Sequence, residues 1–168
     1  MNRLLCAIIL LFNLMALESN AQEAGKMYTY KQIGNKHIIS VSTGEEIVKA
    51  LNLFCEERKI KSGNITGLGA INEVTLRFFN PETKKYIDKT FQEQMEISNL
   101  TGNISTMNGK PYLHVHITVG SADYSSRAGH LLSAVLNGAG EFVVEKFEED
   151  IEHTYNPTLG LNCYDFTK

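Results

Sequence analysis

The sequence predicts an α+β domain with a mostly antiparallel β-sheet and one main amphipathic helix packed on it. Residues 43–59 repeat apolar side chains at helical intervals, whereas most other apolar runs are rich in β-branched and aromatic residues. Short turn signals separate these runs, and short connections join antiparallel neighbours. A chain of this length fits a single domain.

The first 21 residues are typical of a secretory signal peptide. Arg3 supplies a positive start, residues 4–17 are almost wholly apolar, and small residues precede residue 22. The apolar run of about 14 residues is shorter than the roughly 20 that a transmembrane helix needs. We therefore expect residues 1–21 to be cleaved and residues 22–168 to form an exported, periplasmic or extracellular domain without a membrane span.

Residues 43–59 form the predicted helix. Thr43 and Glu46 have the spacing of a capping box, and Gly63 follows the last helical turn. The apolar residues that recur on one face are Ile47, Val48, Leu51, Phe54 and Cys55. This segment therefore has one face to bury.

Most of the remaining chain is predicted as strand. Residues 129–138 are ambiguous between a short helix and a strand. The predicted strands are residues 37–41, 73–79, 85–91, 96–107, 111–119 and 141–147.

The dipeptide Asn108-Gly109 predicts a tight hairpin between two of these strands. A two-residue loop sets the register of the strands beside it, so Met107 is expected opposite Lys110. In this register Leu113, Val115 and Ile117 share an apolar face. The alternate residues of the strand then point to the polar face of the sheet.

Two histidines, His114 and His116, lie on that polar face, opposite Asn103 and Thr101 respectively. Imidazoles two residues apart on a strand project side by side, and this spacing suits two ligands of one metal ion. Asn103 and Thr101 are then placed to hydrogen-bond the second ring nitrogen or a bound water. The alternative is a hydrated polar surface without a ligand.

A third ligand is proposed at His130, where Gly129 is expected to allow a backbone turn toward the histidine pair. Three neutral imidazoles favour a divalent transition metal, most simply zinc, with one coordination position left open. His37 and His153 lack such a context and are predicted as surface residues. Cys55 and Cys163 are either a disulfide or two free thiols.

Several blocks of the sequence resemble the plants-and-prokaryotes-conserved (PPC) domain family over about residues 27–147. They are "ITGLGAINEVTLRFFN", "EISNLTGNIS", "PYLHVHITVGSAD", "GHLLSAV" and "GEFVVEKF". The resemblance implies a compact α+β fold assembled as a homotrimer, with the family's histidines at His114, His116 and His130 as metal ligands. No Arg-Gly-Arg AT-hook is present in this sequence.

Charge counts against DNA binding. The chain has 16 basic and 19 acidic residues and a net charge of −3. Removal of the signal peptide takes away one residue of each sign, Arg3 and Glu18, and leaves this charge unchanged. Affinity for phosphates needs clustered Lys and Arg, yet the longest basic runs contain two residues, as at Lys84-Lys85. We therefore expect that nucleic acid is not a partner.

Three function classes follow. The first is a trimeric module that binds a small ligand or protein beside a histidine-lined metal site. The second is a metal-dependent enzyme of unknown substrate, which needs a general base. The acidic candidates for that base are Asp123, Glu96 and Glu141. The third class is DNA binding, which the family label suggests.

Overall fold

The structure, a computed structural model, describes residues 26–167. The predicted signal peptide, residues 1–21, lies outside the described residues, and its removal stays a prediction. The helix α1 spans Ile47–Glu57. The strands are β1 Tyr28–Ile33, β2 Lys36–Val41, β3 Gly63–Asn80, β4 Lys85–Phe91, β5 Met95–Met107, β6 Lys110–Gly120, β7 Ser126–Lys146, β8 Glu152–Asn156 and β9 Leu161–Asp165.

The nine strands form one mixed sheet. The order along its main path is β1-β2-β7-β3-β5-β8-β9, while β4 pairs with β3, and β6 pairs with both β5 and β7. Strands β5 and β8 are parallel where Thr106 lies opposite Glu152. The other pairs recorded among residues 26–167 are antiparallel. No helix in this range is long and apolar enough to cross a membrane.

Strands β3 and β7 are longer than the sequence predicts. The ambiguous residues 129–138 are strand and belong to β7, which continues through Phe142. The two strands pair along most of their length, with register shifts. They approach closely at Gly67, where an added Cβ would lie 2.2 Å from Cδ1 of Phe142. Glycine therefore leaves room for a buried aromatic ring that a larger residue would displace.

The helix begins later than predicted. Its N-cap is Glu46, not Thr43, and the Glu46 carboxylate accepts hydrogen bonds from the backbone N–H groups of Val48 and Lys49 at 2.9 and 2.7 Å. The same carboxylate accepts a bond from the N–H of Ala134 in β7 at 3.0 Å. The predicted capping box fails because Glu46 caps the helix alone and joins its first turn to the sheet.

The buried hydrophobic core contains residues of α1 and of the sheet strands. Phe54 is fully buried, and its ring packs against Tyr28, Tyr30 and His37 with centroid distances of 5.4, 5.3 and 5.3 Å. The other buried residues of the helix are Ile47, Ala50, Leu51 and Cys55. Burial raises the pKa of the Cys55 thiol to about 12. Cys55 and Cys163 are both free, so the structure favours the alternative without a disulfide.

Three strands were not predicted. β1 pairs with β2 at one edge of the sheet, and the hairpin of β8 and β9 forms the other end of its path. β1 does contain aromatic and β-branched residues, Tyr28 to Tyr30 and Ile33, which the prediction overlooked. β8 and β9 lack an apolar run that marks a strand, and β8 joins the sheet through a single parallel bridge at Thr106.

Candidate metal centre

The β5–β6 hairpin places two of the predicted ligands. Asn108 and Gly109 have φ of 54° and 76°, which a tight two-residue turn requires, and Met107 pairs with Lys110 as predicted. His114 therefore lies opposite Asn103 and His116 opposite Thr101, also as predicted. The intervening side chain of Val115 is buried in the core, so the two histidines share the opposite face.

His130 comes from the strand on the other side of β6. His116 pairs directly with His130 in the antiparallel β6–β7 ladder. The expected turn at Gly129 is wrong, because this residue lies within the continuous strand β7. Cross-strand pairing, rather than a local bend, brings the third imidazole to the first two.

The three imidazoles form one cluster. A ring nitrogen from each of His114, His116 and His130 lies within 4.8 Å of the others. The ring centroids of His116 and His130 are 4.1 Å apart, and those of His114 and His130 are 5.0 Å apart. Zinc–imidazole bonds are about 2.0–2.1 Å long, so two ring nitrogens on one ion lie at most about 4.2 Å apart, and any pair near the 4.8 Å limit must move closer to bind one ion.

The electrostatics favour neutral rings. Burial lowers the pKa of His130 to about 4, with further contributions from His116, His114 and Arg77. Burial, followed by the neighbouring His116, also lowers the pKa of His114. The Nε2 atom of His114 is buried without a hydrogen-bond partner. A neutral imidazole with an unsatisfied buried nitrogen is suited to bind a metal ion.

The metal-free protein is expected to lose stability as pH falls from about 6.5 to about 4. His130 has an ordinary pKa of 6.5 and a folded-state pKa of about 4. Within this window the unfolded chain binds a proton that the folded chain resists, so the free energy of unfolding decreases. Urea unfolding in the presence of a chelator, repeated at several pH values, tests this expectation. In the control variant His130→Gln, the free energy of unfolding should depend less steeply on pH. A free energy that stays constant or rises on acidification contradicts it.

The proposed outer residues occupy their predicted positions but are not engaged. Asn103 and Thr101 are exposed. Among residues 26–167, no recorded side-chain hydrogen bond joins either residue to a histidine ring, whereas the backbones of both residues pair with those of His114 and His116 in the β5–β6 ladder. Their proposed role in orienting a ligand ring therefore stays a prediction.

A cavity of about 530 Å³ opens on the histidine cluster. Its polar lining includes Arg77, Tyr86, Tyr112 and Asn162, and its apolar lining includes Leu113, Leu131 and Leu161. Arg77 makes a bidentate ion pair with Asp88 at 2.7 Å and lies over the ring of Tyr86, 4.8 Å from its centroid. The sequence-based prediction missed these residues because strands far apart in the chain bring them together.

The acidic candidates for a general base lie elsewhere. Asp123 accepts hydrogen bonds from Ser125 within an exposed turn, and Glu141 lines a different cavity. Glu96 is exposed and lies opposite Gly120. Among the described residues that line the histidine cavity, none is acidic. The cavity therefore supplies metal donors and a cation but no carboxylate base.

The other two histidines are buried, so their predicted surface position is wrong. His37 is 4% exposed and packs on Phe54 beneath the helix. His153 is 6% exposed, and its Nδ1 lies 2.6 Å from the Ser105 hydroxyl oxygen. Each is buried by tertiary contacts with segments distant in sequence.

Comparison with known proteins agrees with the blocks noted in the sequence. The model of the Plants and Prokaryotes Conserved (PCC) domain matches residues 28–148. A candidate DNA-binding protein from Bacteroides thetaiotaomicron, known from a crystal structure, is 69% identical. The match covers 84% of this chain and 99% of that one, with a TM-score of 0.83.

Two archaeal structures are also similar. A metal-containing protein from Archaeoglobus fulgidus is 28% identical, with 83% of this chain and 98% of that chain covered and a TM-score of 0.73. A plant- and prokaryote-conserved protein from Pyrococcus horikoshii is 25% identical, with 87% and 99% covered and a TM-score of 0.73. A search among curated proteins gave no match.

Proposed function

We propose that the chain, which belongs to the Plants and Prokaryotes Conserved domain family, is an exported binding module that holds zinc through His114, His116 and His130. One observation carries the proposal: three imidazole nitrogens from two strands lie within 4.8 Å of one another beside a cavity. The metal-containing relative from Archaeoglobus fulgidus supports a metal in this fold.

The proposed ligands differ in how deeply they are buried. His114 offers a buried nitrogen that lacks another partner, while His116 lies at the exposed edge of the cluster. Bound zinc supplies positive charge and one open coordination position. Arg77, Tyr86 and Asn162 then present polar groups to a ligand in the adjacent cavity.

A metal-dependent enzyme is the alternative that an open coordination position supports. Catalysis needs a general base within hydrogen-bond reach of the reacting group. Because the described lining lacks a carboxylate, we favour binding over catalysis.

Metal analysis of tag-free protein tests the proposal. The protein is stripped with a chelator and then titrated with zinc in equilibrium dialysis. We expect one zinc ion per chain. Because neutral imidazoles bind it, the zinc affinity should fall as pH falls and the rings become protonated. Zinc uptake no greater than that of a histidine-free control protein overturns the proposal.

We further propose a homotrimer that works outside the cytoplasm. Exposed apolar side chains support assembly: Leu68 is 56% and Ile38 is 40% exposed, beside a cavity of about 760 Å³. Light scattering after gel filtration is expected to give three times the monomer mass, and a monomer mass at micromolar concentration contradicts this.

N-terminal sequencing of the exported protein is expected to show Gln22 as the first residue.

DNA binding is the second candidate function, because the 69% identical relative is a candidate DNA-binding protein. This relationship goes against the expectation that nucleic acid is not a partner. We still propose that DNA is not the ligand, because the net charge is −3 and phosphate affinity needs clustered cations. Titration of labelled duplex at about 150 mM salt is expected to give no submicromolar affinity, since non-specific binding lies at roughly 10⁻⁴–10⁻⁶ M. Submicromolar affinity reverses this proposal.

A further inference from the structure

We infer that the C-terminal hairpin is a fixed wall of the histidine cavity that selects small ligands by size. We call residues 151–165, which contain β8 and β9, the strap. The strap lies beyond residues 28–148, which match the family domain. The inference deepens the proposed function and rests on it, because it concerns what reaches the metal held by the three histidines.

One end of the strap is anchored on β5. The backbone N–H of Thr106 donates to the carbonyl of Ile151 at 2.8 Å. Next to this bond, the buried Ser105 hydroxyl lies 2.6 Å from Nδ1 of His153. These two buried or half-buried contacts tie the start of β8 to the strand that pairs with the histidine-bearing strand β6.

Aromatic packing reinforces the same anchor. The ring of His153 packs against both Tyr112 and Tyr164, with centroid distances of 4.6 and 4.4 Å. Tyr112 belongs to β6 and lines the histidine cavity, whereas Tyr164 belongs to β9. A buried histidine thus joins both strands of the strap to the wall of the cavity.

The turn of the strap is hydrogen-bonded to the β3–β4 turn. The ammonium group of Lys84 donates a hydrogen bond to the backbone carbonyl of Thr158 at 2.8 Å. Lys84 lies in the turn between β3 and β4, and Arg77 and Tyr86 on these two strands line the cavity. The strap therefore spans the distance between the β5–β6 and β3–β4 hairpins.

Between these anchors, β9 contributes two side chains to the cavity. Leu161 and Asn162 line it together with the histidines. The Asn162 amide donates a hydrogen bond to the Tyr112 hydroxyl at 3.3 Å, which orients both polar groups. Leu161 and Asn162 lie outside the family-matched residues 28–148, so the strap supplies this part of the cavity wall. Truncating these two side chains is therefore expected to open the cavity on this side.

The size and lining of the cavity indicate the ligand class. A cavity of about 530 Å³ lies within the range of roughly 300–1,000 Å³ typical of small-molecule sites. Its lining combines metal donors, the Asn162 amide and the apolar Leu161 and Leu131. We therefore assign to it a small organic ligand with one oxygen or nitrogen donor for the metal and a short apolar body. A duplex nucleic acid is too large to enter.

Two probes that share a donor and differ in bulk test the wall. Imidazole and 4-phenylimidazole are titrated into cobalt(II)-loaded, tag-free protein, and ligation is followed by visible absorption. The affinity of wild type for imidazole relative to 4-phenylimidazole is the reference preference, because Leu161 and Asn162 limit the room for the phenyl group on their side of the cavity. The variant L161A/N162A is expected to reduce this preference at least about threefold without changing cobalt affinity.

Two further variants separate the wall from general effects. L159A truncates a strap residue that is 51% exposed and lies outside the described cavity lining, so its preference should equal that of wild type. K84M releases the turn of the strap and should reduce the preference in the same direction as L161A/N162A. Thermal unfolding of each variant confirms that it is folded.

Cobalt uptake and ligand preference report separately on the metal site and on the strap. If wild type takes up cobalt but L161A/N162A and K84M keep the wild-type preference, the strap is not a selective wall. If wild type takes up no cobalt, the proposed metal function fails, and the inference that rests on it fails as well.

Discussion

Replacing any one of His114, His116 or His130 by alanine is expected to lower the zinc affinity of tag-free protein by about 100-fold or more. Each change removes one of three clustered nitrogen donors. Loss of residues that merely orient ligands typically costs 10–100-fold, so loss of a ligand should exceed this. Competition titrations against a chromophoric chelator measure the affinity of each variant.

A matched control uses a histidine outside the cluster. His37 is buried against Phe54 and belongs to the helix–sheet core, so H37Q should keep wild-type zinc affinity if it folds. Equal, weak zinc binding by wild type and all three alanine variants would instead support the alternative that the three histidines line a hydrated polar groove without a metal.

Truncation of Phe54 to alanine is expected to lower the free energy of unfolding by about 3–5 kcal/mol. The side chain is fully buried and contacts three rings of β1 and β2. Its removal leaves a cavity that rigid strands fill only in part. Urea unfolding monitored by circular dichroism measures the change.

The control for Phe54 lies one position earlier in the same helix. Leu53 is 36% exposed, so Leu53→Ala should cost about 1 kcal/mol or less. Equal losses for the two variants would show that helix propensity, rather than packing of the Phe54 ring, sets the stability of this region.

Local signals predicted the part of the site that one hairpin builds. Asn108-Gly109 specifies a turn with two positive φ angles, and strand parity then places His114 and His116 on one face. Both steps depend on residues adjacent in sequence. The register across the hairpin was therefore predictable residue by residue near the turn.

Contacts between distant strands were not predictable from local patterns. The approach of His130 depends on the pairing of β6 with β7, and the sequence suggested a turn at Gly129 instead. The family resemblance, not the residue pattern, supported His130 as a ligand. Arg77 and Asn162 carry no local signal because long-range pairing determines their positions.

The strap shows a second limit of local patterns. Residues 152–156 and 161–165 contain few consecutive apolar residues, so nothing marked them as strands. His153 appeared to be a surface residue because its burial depends on Tyr112 and Tyr164, which reach it only in the folded sheet. The prediction of a capping box at Thr43 and Glu46 failed for a related reason, because Glu46 also accepts a hydrogen bond from the backbone of β7.

Anomalous diffraction at the zinc edge from crystals of zinc-loaded protein tests the central claim most directly. We predict one strong peak per chain, about 2.0–2.1 Å from a ring nitrogen of each of His114, His116 and His130. A map without a peak among these three rings, with zinc bound only at surface carboxylates or other histidines, would contradict the assignment of this cluster as a metal centre.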